Sequence, residues 1–352
     1  IKLKKGILFQ DNAAFADGKG REVTAEDFIY SWKRLADPKN QSEGFWVFDG
    51  KIKGLNEWAA LVKEGKASYD TPVEGLQAPD KYTLVIKLTQ TYYQLYYTLA
   101  MPFTVVVPKE AVTKYGAEFL NNPIGSGPFS LESWTRNSKI TLKRNPTYRE
   151  ETYPSEGAPG DKEAGLLADA GKKIPFADKL VITELPEDNP RWLNFQKGNF
   201  EFIEIPNDNF DSTVKNKELL PEFTKKGIRL DISPELDVTY IGLNMKDPIL
   251  GKNKFLRQAL ATAYNNKEYI SKFLNNRGVE AQGPLPPNIG GYDSNVKKPY
   301  EFDIAKAKDL LTKAGFPGGK GLPELVYEAM SDSKGRQIAE HVQQAFAAIG
   351  VK

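Results

Sequence analysis

Val23-Thr24-Ala25-Glu26-Asp27-Phe28-Ile29-Tyr30-Ser31-Trp32 opens the most sharply signalled element of the chain. Thr24 is suited to cap a helix that starts at Ala25, and Asp27 stands at the capping-box position, three residues on. Val23 outside the cap and Phe28 inside it have the spacing of a hydrophobic staple. Phe28, Trp32 and Leu35 then form one apolar stripe at helical spacing. Asp37-Pro38 stops the helix, because proline lacks the amide proton that would continue it. Glu26 and Asp27 are adjacent carboxylates, but neighbours on a helix point about 100° apart, so capping, and not paired acid–base chemistry, is the expected role.

Around this helix, residues 1–150 read as mixed strand and helix with antiparallel character. Tyr82, Leu84, Ile86 and Leu88 alternate with Thr83, Val85 and Lys87, the period of a half-buried strand. Phe129 to Trp134 and Ile140 to Leu142 repeat that period across a polar Arg136-Asn137-Ser138 turn, which predicts a hairpin. From Glu151 to Lys173 the composition shifts to Glu, Gly, Pro, Asp and Ala, the signature of a long irregular surface segment and a domain boundary. Beyond it, Lys179–Leu185, a short helix opened by Asn189-Pro190, and Phe200–Ile205 read as strand, helix and strand, which predicts a parallel crossover. Further strands are expected at Arg229–Ser233, Val238–Asn244 and Leu325–Ala329. Helices are expected around Leu256–Ala263, around Ile270–Leu274, from an Asp303 N-cap to Gly315, and over Gln337–Ile349.

Composition removes several chemistries before any motif is sought. The 352 residues contain no cysteine and one histidine, so thiol nucleophiles, disulfides and Cys/His zinc sites are impossible. Forty-eight basic against forty-six acidic residues leave a net charge of +2, too balanced for the footprint of a nucleic-acid binder. A Ser-His-Asp arrangement would have to use His341, expected as a solvated or half-buried residue beside the apolar stripe Ile338, Val342, Phe346 and Ile349. The most apolar stretch, Leu95–Val107, is interrupted by Pro102 and falls short of the ~20 residues a membrane-spanning helix needs.

Two constellations leave a functional and a structural reading open. Pro123-Ile124-Gly125-Ser126-Gly127-Pro128-Phe129 lacks the Lys-Ser/Thr of a phosphate-binding loop and runs into a strand. It is either a tight turn or a turn that lines a binding cleft. Tyr92, Tyr93, Tyr96 and Tyr97, with the separate cluster Phe45, Trp46 and Phe48, are expected first as core packing and alternatively as the walls of an aromatic pocket.

In order along the chain, these segments resemble the extracellular solute-binding proteins of oligopeptide, dipeptide and nickel ABC importers. The carriers are the 23–32 segment with Arg34 and Asp37-Pro38, the 123–129 turn, Arg144-Asn145-Pro146 with Tyr148, Tyr240-Ile241-Gly242-Leu243-Asn244, and Arg257-Gln258-Ala259-Leu260. Each is weak alone; together and in order they are specific. The resemblance implies an α/β, periplasmic-binding-protein-like two-lobe fold (type II) with an additional mixed α+β domain, incomplete at both termini. It implies residues 1–150 as the additional domain, 151–173 as a surface linker, 174–242 as a lobe-one segment and 243–352 as the first part of lobe two.

The function implied is capture of oligopeptides and their delivery to an ABC permease, at the periplasmic or extracellular face of the cytoplasmic membrane, free or lipid-anchored. An oligosaccharide, opine or metal chelate is the alternative cargo, and a hydrolase fits poorly. The resemblance implies a monomer when full length, with no catalytic residue, cofactor, metal or nucleic acid. It carries over Trp46, Ser126, Gly127 and Tyr240 as ligand contacts. Asn265 stands where the family often has aspartate, a substitution expected to be structural. The acidic residue that holds the peptide amino terminus in oligopeptide binders has no counterpart among these residues. Because the resemblance implies strands missing at both ends, the sheet containing Lys179–Leu185 and Phe200–Ile205 is expected to show exposed edges, swapping or another chain filling the gap.

Overall fold

A computed structural model describes all residues, Ile1–Lys352. The chain divides into two compact units, Ile1–Glu184 and Leu185–Lys352.

The first unit is organised by helix α1 (Ala25–Ala36), whose buried apolar face runs through Ala25, Ile29, Trp32 and Ala36; of the predicted stripe only Trp32 is buried, while Phe28 and Leu35 are half-buried at its margin. Trp32 is 1% exposed and stacks obliquely on Phe48 at 4.8 Å between ring centres. Its indole N–H donates to the Thr104 carbonyl at 3.1 Å, so the polar handle of the ring is satisfied inside the core. Helix α2 (Leu55–Lys63) and the antiparallel strands β1 (Leu76–Asp80) and β2 (Thr83–Ile86) complete this core through Leu55, Trp58, Leu76 and Leu84. Phe28 packs against it and also against a second cluster of Phe9, Phe15, Val23, Ala111 and Ile124, so the staple residue joins two cores. Helices α3 (Leu95–Leu99) and α4 (Lys109–Tyr115) follow. The expected strand 82–88 is regular only over β2, because beyond Ile86 the backbone changes partners: Lys87 bonds to Gly75 and Lys53, and Thr89 to Lys51.

Asp27 does more than cap. Its carboxylate accepts from the Thr24 amide at 2.8 Å and hydroxyl at 3.1 Å. It also accepts two bonds from the Arg21 guanidinium, at 2.8 and 2.9 Å, while the same guanidinium gives two more to Glu110 of α4, at 2.6 and 2.9 Å. The Arg21 bonds hold the Glu110 carboxyl below its ordinary pKa, against a smaller opposing effect of burial.

Strands β3 (Phe129–Thr135) and β4 (Lys139–Arg144) form the predicted hairpin, turned through Asn137 at φ +55°. The third strand corrects the sequence reading. Strand β5 (Lys179–Thr183) pairs antiparallel with β4, Leu142 opposite Leu180 and Ile140 opposite Ile182, and no parallel crossover forms. Its register is fixed locally: the Arg144 amide donates to Asp178, and the Arg144 guanidinium to the carbonyls of Phe176 and Ala177. Pairing therefore groups β5 with the first unit, although the sequence reading placed residues from 174 onward in the next segment. The intervening residues, 151–173, hold turns and a single bridge between Thr152 and Lys173, with Tyr153 stacked on Phe176 at 6.0 Å.

The second unit is mainly helical. Helices α5 (Asp188–Gln196), α6 (Asn207–Phe210) and α7 (Pro221–Thr224) accompany a two-residue antiparallel pair, β6 (Val214–Lys215) and β7 (Glu218–Leu219). Helices α8 (Lys254–Ala263), α9 (Asn266–Leu274), α10 (Ile304–Lys313) and α11 (Ser333–Ala347) are each capped by a side chain, Asn253, Asn265, Asp303 and Asp332. Asn265 thus has a local structural role, accepting from the Glu268 amide at 3.2 Å. Leu256, Ala259, Leu260 and Ala263 of α8 pack on Ala307 and Leu311 of α10, with Ile349 and Val351 closing the core after α11.

The expected strands at 200–205, 229–233, 238–244 and 325–329 form no ladder. Strand identity depends on a partner as much as on a period-2 pattern, and here the Leu325 amide reaches the Lys352 carbonyl at 2.9 Å without extending into a ladder. Phe202 and Val326 stand in solvent at 85% and 87% exposure, whereas Leu243 and Leu325 pack on the core of α8 and α10.

His341 also departs from expectation. It is buried, edge-on to Tyr264 at 5.6 Å and Phe273 at 5.4 Å, and its Nε2 has no hydrogen-bond partner. Burial lowers its pKa below the ordinary 6.5; Glu268 opposes the shift and Lys272 adds to it. An unfolded chain then takes up the proton first as pH falls, so stability is complete above pH 6.5 and declines below it.

Two measurements check these packing arguments. Asp27→Ala should destabilise the chain by about 2–4 kcal/mol in urea denaturation, because it removes a cap and leaves Arg21 half-paired. His341→Phe should flatten the acid-side decline in stability below pH 6.5; an unchanged pH profile would show that another group titrates there.

Candidate functional site

The aromatic surface of the first unit starts from a short 3-10 turn, Phe45–Val47. Val47 is fully buried and Phe45 packs on the core, which forces Trp46, between them, outward at 54% exposure. Phe103 meets the indole edge-on at 6.1 Å. Gly44 makes that approach possible, since a Cβ there would lie 2.5 Å from Phe103 Cδ1. Lys51 sits behind the ring, its Nζ 5.7 Å from the centre of Trp46 and 4.6 Å from that of Tyr92.

The tyrosines do not form the core packing first expected. Tyr93, Tyr96 and Tyr97 are 84%, 79% and 80% exposed, and only Tyr96 and Tyr97 lie within α3. Tyr92 is half-buried, its hydroxyl 2.7 Å from that of the buried Thr98. That hydrogen bond, opposed by slight desolvation and aided by Lys51, lowers the Tyr92 pKa. Tyr92, Tyr93 and Tyr96 line a groove of about 750 Å³ together with Leu84, Ile86 and Leu88. The aromatic-pocket alternative therefore has a concave surface to occupy.

Ser126 and Gly127 lie on a half-buried turn that enters β3. The turn is held from behind. The Gln10 amide donates to Gly125 O at 2.9 Å and its side chain to Pro123 O at 3.0 Å. Buried Asn145 donates its side-chain amide to Gly127 O at 2.9 Å. On the other side, the Cβ directions of Gly125 and Gly127 point into open space. Both earlier readings of the turn share this geometry: a braced backbone with an unobstructed outer surface. The Asn145 bond also gives the Arg144-Asn145-Pro146 motif a physical role.

Trp46 and the 126–127 turn are thus positioned in the same unit by separate sets of contacts. Tyr240 lies in the other unit, 80% exposed in a segment without a ladder. Neither ring is packed into a core. Lys51, Gly44 and Phe103 carried no sequence signal, because their roles arise from contacts made only in the folded chain. No cluster of three or more His, Asp or Glu side chains has metal-binding geometry, and no helix is long and apolar enough to cross a membrane. His341 lies edge-on to Tyr264 and Phe273, and its Nε2 makes no hydrogen bond to any serine or threonine hydroxyl.

The family described as bacterial extracellular solute-binding proteins, family 5 Middle, matches residues 1–352. The chain belongs to that family. It is 28% identical over 362 residues to the dipeptide-binding protein of Escherichia coli strain K12, covering 99% of this chain and 58% of that relative. Among solved structures, it resembles a periplasmic oligopeptide-binding protein, OppAIV, from Borrelia burgdorferi, with a TM-score of 0.73 and 22% identity over 100% of this chain and 62% of the other. It also resembles AgaA of A. tumefaciens R10, solved with agropinic acid, at a TM-score of 0.66 and 23% identity, covering 100% of this chain and 61% of the other. These structural likenesses establish the type II binding-protein fold. The chain spans little more than half the length of the curated relative.

The geometry around Gly44 yields a direct check. Gly44→Ala should cost about 1–3 kcal/mol by overpacking against Phe103, and the cost should shrink in a Phe103→Ala background. Equal costs in the two backgrounds, measured by denaturation, would show that the two residues do not compete for this space.

Proposed function

We propose that this chain forms part of the solute-binding component of an ABC importer, which captures short peptides outside the cytoplasmic membrane and hands them to a permease. The observation that carries the reading is the family match over the whole chain. The dipeptide- and oligopeptide-binding relatives support peptide as the cargo. Capture is reversible binding, with no bond made or broken, and the complete protein acts as a monomer. Ligand binding shifts a conformational equilibrium, and the shift is the signal a permease reads. On this reading residues 1–150 belong to the additional domain, 151–173 to a surface linker, 174–242 to lobe one and 243–352 to the first part of lobe two.

The ligand contacts are Trp46, the open backbone of Ser126–Gly127, and Tyr240. Exposed rings supply large contact area with little demand on ligand sequence, and a glycine turn lets ligand groups approach the main chain. Such a site favours peptides through their common backbone, with loosely filled side-chain pockets. A second reading, an opine-like solute, is supported by the likeness to AgaA.

Isothermal calorimetry with short peptides tests this assignment. Trp46→Ala and Tyr240→Ala should each weaken peptide binding by about 1–3 kcal/mol, as for aromatic anchors. Unchanged affinity in either variant removes that residue from the site. Steady turnover of a bound peptide would contradict a protein that only binds.

A further inference from the structure

Lys51 makes more directed contacts than any other residue around Trp46. Its ammonium donates to the Trp46 carbonyl at 3.1 Å and the Val47 carbonyl at 3.3 Å. It also lies 3.4 Å from the Tyr92 hydroxyl oxygen and within 6 Å of both ring centres. An ammonium attracts the faces of aromatic rings through their quadrupoles. It offers three donors and no acceptor. One side chain therefore ties the turn that carries Trp46 to Tyr92, 41 residues beyond Lys51.

The base of that side chain is also fixed. The Thr89 amide donates to the Lys51 carbonyl at 3.0 Å, and the Thr89 hydroxyl donates to the Gly50 carbonyl at 2.8 Å. Tyr92 is anchored in turn by the Thr98 hydroxyl. Lys51 has no carboxylate partner among the ion pairs of the structure, so no surface salt bridge accounts for its position. Its positive charge is spent on two rings and two carbonyl groups.

We propose that Lys51 is a positioning residue for ligand capture: its ammonium, held by the Trp46 and Val47 carbonyls, fixes the Trp46 indole and the Tyr92 phenol in the orientation that a ligand meets. The proposal rests on the reading of Trp46 as a ligand contact. Lys51 itself need not touch ligand. Removing it leaves both aromatic side chains in the sequence but frees the turn and the phenol to reorient, so affinity falls while the core built on Trp32 stays intact.

The test uses the complete protein labelled with fluorotryptophan. Residues 1–352 hold five tryptophans, and Trp46→Phe identifies the Trp46 line in the fluorine NMR spectrum. In Lys51→Met that line should shift and broaden while the remaining lines stay in place. Lys51→Arg should largely restore it. Lys51→Gln, which keeps a donor but loses the charge, should fall between them and provides a readout if the methionine variant folds poorly. Calorimetry with trialanine should show binding about tenfold weaker in Lys51→Met, with recovery of most of that loss in Lys51→Arg.

An unmoved Trp46 line in Lys51→Met and Lys51→Gln overturns the positioning role. A moved line with unchanged trialanine affinity overturns its importance for capture. If the unmodified protein does not bind trialanine while the Trp46 line still moves, the peptide assignment fails and the positioning of the ring stands.

Discussion

Asp27 is where local and long-range structure meet in the first unit. One nearly buried carboxylate accepts from the Thr24 backbone and from Arg21, and Arg21 carries the connection on to Glu110. A buried ion pair is weak support for net stability, because desolvation offsets much of its attraction. Its value here is geometric. With four guanidinium bonds fixed, α1 has one start and one rotation, and that rotation turns Trp32 into the core. The buried Trp32 then defines the floor on which Phe48 and the 45–47 turn sit, and so the direction in which Trp46 emerges.

How much of this was legible in the sequence depended on how far apart the interacting residues lie. The caps at Thr24 and Asp303, the hairpin across Asn137 and the glycines at 315 and 350 are signals contained within a few residues, and each occurs where the pattern placed it. Lys179–Thr183 was recognisable as a strand, but its antiparallel partner was not, because the choice is made by Arg144 reaching across a 33-residue excursion. The segments 200–205, 229–233, 238–244 and 325–329 have the alternation of strands and form no ladder. Their exposed Phe202, Ile232 and Val326 show that period alone does not make a sheet. His341 was placed on the correct helix and the wrong side of the accessibility boundary, since Tyr264 and Phe273 approach it from residues 60 or more positions away.

The candidate site divides in the same way. Trp46, the 126–127 turn and Tyr240 came from the family resemblance, and all three present open surface. What braces them did not: Lys51 behind the indole, Gly44 beneath Phe103, and Asn145 and Gln10 behind the glycine turn are long-range contacts. At Trp46 and the 126–127 turn the common arrangement is a braced rear and an exposed front. On the proposed reading of these residues as ligand contacts, this lowers the conformational cost of binding, because they are already ordered. It also explains why exposed aromatic residues occur beside a well-packed core rather than collapsing into it.

The central claim is that the protein carries short peptides selected mainly by their backbone. Native mass spectrometry of the complete protein, purified from its own cells without denaturation, tests this most directly when released ligand is sequenced. The account predicts a population of short peptides with varied side chains. A single non-peptide solute such as an opine or an oligosaccharide, recovered in place of peptides, would contradict it.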